Sequence, residues 1–230
     1  MTRTRLLIIL SLLVVGCIGA AGYIYIERRT DVAATDAEAC ASVREVSAEM
    51  AAAPVSTGSR HIAVIGDSWS VGTGLNNPKA EAFPARLGQL DGATVTVHGQ
   101  GRTGFVNGGY CGDEPFSTQV EAVLASAPDV VVIEGGLNDT TLEGVSAAAE
   151  SLLASLKGMP IVVVGPANAP SKDSDDLAAV DNALSEAAAA TGATYVPLLS
   201  EPIEFRSDDL HPTATGQEQV AELVNAALPR

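Results

Sequence analysis

Positive charge is scarce in this chain: 13 lysines and arginines stand against 28 aspartates and glutamates. Four of the 13 (Arg3, Arg5, Arg28 and Arg29) bracket an apolar run at the N-terminus. From Thr30 onward nine basic residues face 27 acidic ones, a net charge of about −18. Such a surface repels a phosphate backbone, which excludes nucleic acid as a partner, and it argues against polyanionic substrates. Aromatic residues make up only 4% of the chain while alanine abounds, a composition that fits a tightly packed α/β domain and not a disordered chain. Histidines number three, so imidazole chemistry has few places to occur. Cysteines also number three. Cys17 lies in the apolar run, and Cys40 and Cys111 remain, an even number compatible with one disulfide in an oxidising compartment or with two buried thiols.

The apolar run, Leu6 to Ile26, carries no charge and is long enough to cross the hydrocarbon core of a bilayer. Arg3 and Arg5 before it predict a cytoplasmic start, so residues 1–29 read as an uncleaved signal anchor. A second processing is open: Val14-Val15-Gly16-Cys17 resembles a lipoprotein cleavage box, with Cys17 as the lipidated terminus, although the apolar run continues past it. Both readings predict a domain tethered to a membrane on its extracytoplasmic side. Residues 30–60 form a spacer whose helix formers, Asp36 to Ala53, end at Pro54, as a helix packed on the domain or as a stalk.

From residue 61 to 230 the pattern is regular. Short β-branched runs (61–68, 93–99, 129–136, 160–167 and 194–200) alternate with helical stretches near 79–90, 117–127, 142–157, 173–191 and 213–228. Strands that are nearly continuous Val and Ile are buried on both faces, which predicts a parallel sheet between two helical layers: an α/β, three-layer αβα, flavodoxin-like fold with five strands. In such sheets functional groups gather at the carboxyl ends of the strands. Here those ends read Gly66-Asp67-Ser68, Gly99-Gln100-Gly101 and Gly135-Gly136-Leu137-Asn138-Asp139, and Asp208-Asp209-Leu210-His211-Pro212 follows the fifth strand.

Acyl transfer by a serine needs a nucleophile, a base, an acid that orients the base, and donors for an oxyanion. Ser68 stands where a strand end would expose a nucleophile, although an N-cap serine would look the same. Asn138 could aim an amide at an oxyanion, or simply be turn chemistry, with Asp139 stabilising the loop. Gly101, with Gly104 as the fallback, would let the backbone approach a substrate. His211 is the one histidine outside a strand, and Asp208 three residues earlier can reach its ring, although a lone Asp-x-x-His is more often a surface pair. Trp69, Phe105 and Tyr110 are either apolar walls of the pocket or packing for their loop.

Together the four blocks "GDSWSVG", "GQGRTG", "GGLND" and "DDLHP" resemble those of the SGNH (GDSL-type) hydrolase family, from about residue 61 to the C-terminus. The resemblance implies a serine esterase with Ser68 as nucleophile, His211 as base and Asp208 as its partner. It implies an oxyanion hole from Ser68, Gly101 and Asn138, and neither metal nor organic cofactor. The chain departs from the pattern in lacking an asparagine shortly before Gly101, and in a tryptophan where the first block usually has leucine. An O-acyltransferase acting on a cell-envelope glycan uses the same machinery, and a non-catalytic glycan-binding module on the same fold is a third reading. Because His211 must be neutral to act, activity is expected to fall on acidification.

Overall fold

The computed structural model describes residues 35–230; Leu6–Ile26, Cys17 and the rest of the predicted anchor lie outside them. Among the described residues no helix is long and apolar enough to cross a membrane. Five strands, β1 (His61–Gly66), β2 (Thr94–Gly99), β3 (Val130–Glu134), β4 (Ile161–Ala167) and β5 (Thr194–Leu198), form one sheet in the order β2-β1-β3-β4-β5. All four pairings are parallel. The strands hold their places because both faces are apolar. Ile62, Val64, Val130, Val132, Val162 and Val164 point into one core, where α3 (Phe83–Asp91) and α7 (Ala214–Ala227) cover them. Ala63, Ile65, Val131, Ile133 and Val163 point into the other, beneath α4 (Val120–Ala125), α5 (Val145–Ser155) and α6 (Ser174–Thr191). A one-residue slip of any inner strand would exchange its two faces, so register and core specify each other.

The helices differ from the periodicity in detail. The stretch read as one helix near 79–90 is two, α2 (Pro78–Glu81) and α3, separated at Ala82, whose ψ of 149° is extended. Pro84 lacks an N–H and fits only the first turn of a helix, so the chain restarts there. The last helix begins at Ala214, because Thr213 takes the cap and its hydroxyl accepts the N–H of Gly216 at 3.1 Å.

Ahead of β1, residues 35–51 form helix α1, which lies against the edge of the sheet at β2. Met50 is buried with Val71 and Val97, and the Ser47 hydroxyl donates to the carbonyl of Gly99 at 2.6 Å. Arg44 pairs with Glu114, and Cys40 is joined to Cys111 by a disulfide. α1 is thus fastened at four points to β2 and to the 100–116 loop. A disulfide spanning 71 residues of sequence constrains the unfolded chain strongly. Replacing both cysteines by serine is expected to lower stability by about 2–4 kcal/mol, measured by urea denaturation. A double variant as stable as the parent would show that the link adds nothing.

Candidate active site

The carboxyl ends of β1, β2 and β3 and the loop after β5 open on a cleft of about 390 Å³. Ser68, Gly101, Asn138 and His211 all line it. Its other walls include Val43 from α1, Arg102 and Tyr110 from the loop after β2, and Lys172 from the loop after β4. His61 and His98 sit on strands away from it.

The histidine side is built on a tight turn. Asp208 Oδ1 accepts the backbone N–H groups of Leu210 at 3.0 Å and His211 at 2.9 Å, while its Oδ2 lies 2.9 Å from His211 Nδ1. Asp209 takes the left-handed position of the turn, with φ 57°, a conformation that aspartate tolerates better than most residues. Its side chain is exposed, and its carbonyl accepts from the N–H of Ser171 at 3.0 Å. The structure therefore separates the two aspartates: one holds the imidazole, the other holds the backbone. Burial opposes the charge on Asp208, but the backbone N–H and ring of His211 and the N–H of Leu210 outweigh it and pull its pKa down to about 2. An ionised partner at Nδ1 fixes the tautomer and leaves Nε2 as the basic nitrogen.

The serine side depends on close approach. A Cβ on Gly66 would come within 1.9 Å of the Ser70 hydroxyl and 2.9 Å of Glu134 Oε2, so only glycine lets β1 end where it does. Beyond it Asp67 is fully buried; its Oδ1 accepts the N–H of Trp69 at 2.9 Å and lies 3.4 Å from the Ser68 hydroxyl. Ser68 caps no regular helix. It sits in a run of turns closed by Val71 N–H to Asp67 O and Thr73 N–H to Ser68 O. Trp69 faces the core and not the cleft, edge-on to Phe205, and its indole N–H donates to Leu210 O at 3.1 Å. That bond ties the serine turn to the histidine turn. Phe105 is likewise buried, against Phe116, and of the three aromatic candidates only Tyr110 lines the cleft. Flat apolar rings gain more from complete burial than from a wet rim, and Trp69 retains its place because its N–H finds a carbonyl.

Asn138 reaches the cleft with both amide hydrogens engaged, one on Asp67 Oδ2 at 2.9 Å and one on Thr103 O at 3.0 Å. Next to it, the buried Asp139 accepts the N–H groups of Phe105, Val106 and Asn107 at 2.9–3.0 Å, shaping the loop that carries the third wall. The two glycine candidates part company. Gly104 is buried against Asp139 and donates its N–H to Asn107 O at 2.9 Å, whereas Gly101 lines the cleft. Among the described residues the backbone N–H groups of Ser68 and Gly101 have no partner.

Sequence reasoning passed over the floor of the site. Glu134 is buried at the end of β3, accepts the Ser70 hydroxyl at 2.8 Å, and adjoins Asp67. A single carboxylate inside "VVVIE" was the available signal. Burial raises Glu134 well above the carboxylate range, and the Asp67 charge adds to it; burial also raises Asp67, to about 7, helped by Asp139 and opposed by the Trp69 N–H.

The model of the GDSL-like lipase/acylhydrolase family matches residues 64–219. Comparison with curated proteins gives no match. Several solved structures share the fold. A protein described as lipolytic, of the G-D-S-L family, from Desulfitobacterium hafniense is 17% identical with TM-score 0.60, covering 74% of this chain and 100% of its own. A carbohydrate acetylesterase from Sinorhizobium meliloti is 15% identical with TM-score 0.60, covering 73% and 97%. An acetylxylan esterase from Geobacillus stearothermophilus, solved as a catalytic mutant, is 17% identical with TM-score 0.59, covering 74% and 94%.

The buried pair has a consequence for stability. Folding raises both acids, so the stability they contribute is complete below the ordinary carboxylate range near pH 4 and is lost as pH rises through about 7. Asp208, shifted the other way, loses its contribution only as pH falls toward about 2. The melting temperature is expected to fall between about pH 5 and about pH 8, and to fall less in Glu134→Gln, which keeps an acceptor for Ser70; each kcal/mol corresponds to about 2–4 °C. Parallel declines in both proteins would rule out the pair as the cause.

Proposed function

Because the chain belongs to the GDSL-like lipase/acylhydrolase family, a family of ester hydrolases, we propose that it cleaves an acyl ester through Ser68, His211 and Asp208. The observation that carries this reading is the 2.9 Å contact of Asp208 with His211 Nδ1 at a cleft that Ser68 shares. His211 Nε2 takes the proton of the Ser68 hydroxyl as Oγ attacks the ester carbonyl carbon. The resulting oxyanion accepts from the N–H groups of Ser68 and Gly101 and from the Asn138 amide, which shares a hydrogen already aimed at Asp67; one such donor is worth about 10²–10³ in rate. The C–O bond to the alcohol then breaks, and protonated His211 gives its proton to the departing oxygen. Water, deprotonated by the same nitrogen, releases the acid and restores Ser68. A short acyl group such as acetyl suits this reading, in keeping with the acetylesterases among the structural relatives. Residues 1–29 tether the enzyme to the cell membrane as a single-pass anchor with the catalytic domain outside the cytoplasm, a compartment in which the Cys40–Cys111 disulfide would persist.

A fluorophosphonate that reacts with activated serines is expected to label the folded protein covalently, and Ser68→Ala to abolish labelling. Folded protein that stays unlabelled would refute the enzyme reading. The two aspartates give a second test on aryl acetate turnover. Asp208→Asn is expected to reduce kcat by on the order of 10³-fold or more, because it disturbs the imidazole tautomer. Asp209→Asn should leave it near the parent value, and the opposite order would overturn the assignment.

A further inference from the structure

We propose that the ester this cleft accepts carries a negative charge, which Arg102 and Lys172 receive. The proposal rests on the hydrolase reading above and names its substrate class: an acyl ester with an anionic group, such as a carboxylate, within reach of the two cations.

The chain as a whole is strongly acidic, so a random patch of its surface should be rich in carboxylates. The cleft is the reverse. Its charged lining consists of Arg102 and Lys172, and no aspartate or glutamate side chain lines it. Three carboxylates beside it are already engaged. Asp208 is bound to His211, Glu114 to Arg44 and to Gln100 Nε2, and Asp67 lies buried beneath the serine. Among the described residues Arg44, Arg60 and Lys79 pair with Glu114, Asp91 and Glu49, while Arg102 and Lys172 are two of the six cations with no carboxylate partner. In a chain this acidic, a small cleft whose charged lining is two cations and no carboxylate is a local reversal of the surface charge.

The Arg102 side chain and the backbone that carries Lys172 are held in place. Arg102 follows Gly101 directly and has φ 68°, the left-handed region that a branched or long side chain rarely occupies. An observed backbone outlier beside a catalytic group is grounds for a functional hypothesis. The guanidinium lies over the Tyr110 ring, 4.7 Å from its centroid, and the next residue, Cys111, is tied by its disulfide to α1. The strained residue, its aromatic support and the staple form one continuous device. Lys172 stands on a turn closed by its own N–H to Ala169 O, and the N–H of Ser171 donates to Asp209 O, which fixes the lysine to the histidine loop. Its charge reaches as far as Asp67, beside Ser68. An anion between the two would meet a planar fork on one side and a point charge on the other.

The test uses two matched pairs of esters. In one the leaving group is varied: 3-carboxy-4-nitrophenyl acetate against its 3-carbamoyl counterpart. In the other the acyl group is varied: 4-nitrophenyl hydrogen glutarate against 4-nitrophenyl glutaramate. The proposal expects kcat/KM to favour the carboxylate member of at least one pair by about tenfold or more at low salt, and the preference to shrink as salt screens it. The pair that responds tells which side of the ester carries the charge. Arg102→Gln and Lys172→Gln should each cut the preference about tenfold, the loss expected for one charge-assisted hydrogen bond. Lys157→Gln, in the loop before β4 at the opposite end of the strands, should leave it intact. Calorimetric binding of the same esters to Ser68→Ala gives the comparison without turnover. Equal treatment of both members of both pairs, or variants that depress them alike, would overturn the proposal. Ser68→Ala hydrolysing all four esters at the parent rate has a different signature: it removes the hydrolase reading, and this inference with it.

Discussion

A carboxylate without water around it must find its hydrogen bonds inside the protein, and Asp67 finds them on both sides of the candidate nucleophile. One oxygen takes the N–H of Trp69 and the other takes the Asn138 amide, so the turn after β1 and the turn after β3 share a single buried acceptor. From there the chain of dependence runs outward. Trp69, placed by that turn, donates its indole N–H to Leu210 and so fixes the loop of His211. Asn138, placed by the same carboxylate, receives Asn107 Nδ2 on its backbone carbonyl, which couples it to the loop that Asp139 shapes. Remove the Asp67 acceptor and four strand ends lose their common reference.

The parallel sheet explains why these bonds can be so few. Its strands are anchored by apolar side chains on both faces, and their register leaves all the carboxyl ends on one rim. The sheet supplies position, and the polar groups at the rim supply only orientation. This division also explains the placement of a carboxylate pair at the floor, where Glu134 ends the central strand under the serine turn. Two acids in a dry site resist sharing two charges, and holding a proton there costs less than exposing the site to water.

Much of this architecture was legible in the sequence. Continuous Val and Ile runs identify strands buried on two faces, and residues that punctuate their ends, such as Gly66 and Asn138, mark the rim. The spacing of Asp208 and His211 was enough to single out one aspartate of two, because only a residue three positions back can both cap the turn and touch the ring. What escaped were relationships that have no local signature. Trp69 and Phe105 belong to the core since a partner elsewhere, Leu210 or Phe116, completes their burial. The overall charge argues against polyanionic substrates, but a sum over the surface says nothing about which of the nine cations after Thr30 face the cleft. The helix formers from Asp36 to Ala53 predict a helix, but composition cannot say whether it packs on the domain or stands as a stalk.

That helix alters what counts as the unit that builds the cleft. The family's shared region begins at residue 64, after α1 has ended, yet Val43 of α1 stands on the cleft and Cys40 anchors the loop of Tyr110. A chain cut to begin at β1 would keep every residue of the four blocks and lose one wall of the cleft. Two relatives with the same blocks could therefore diverge in selectivity through whatever precedes their first strand, without touching the chemistry.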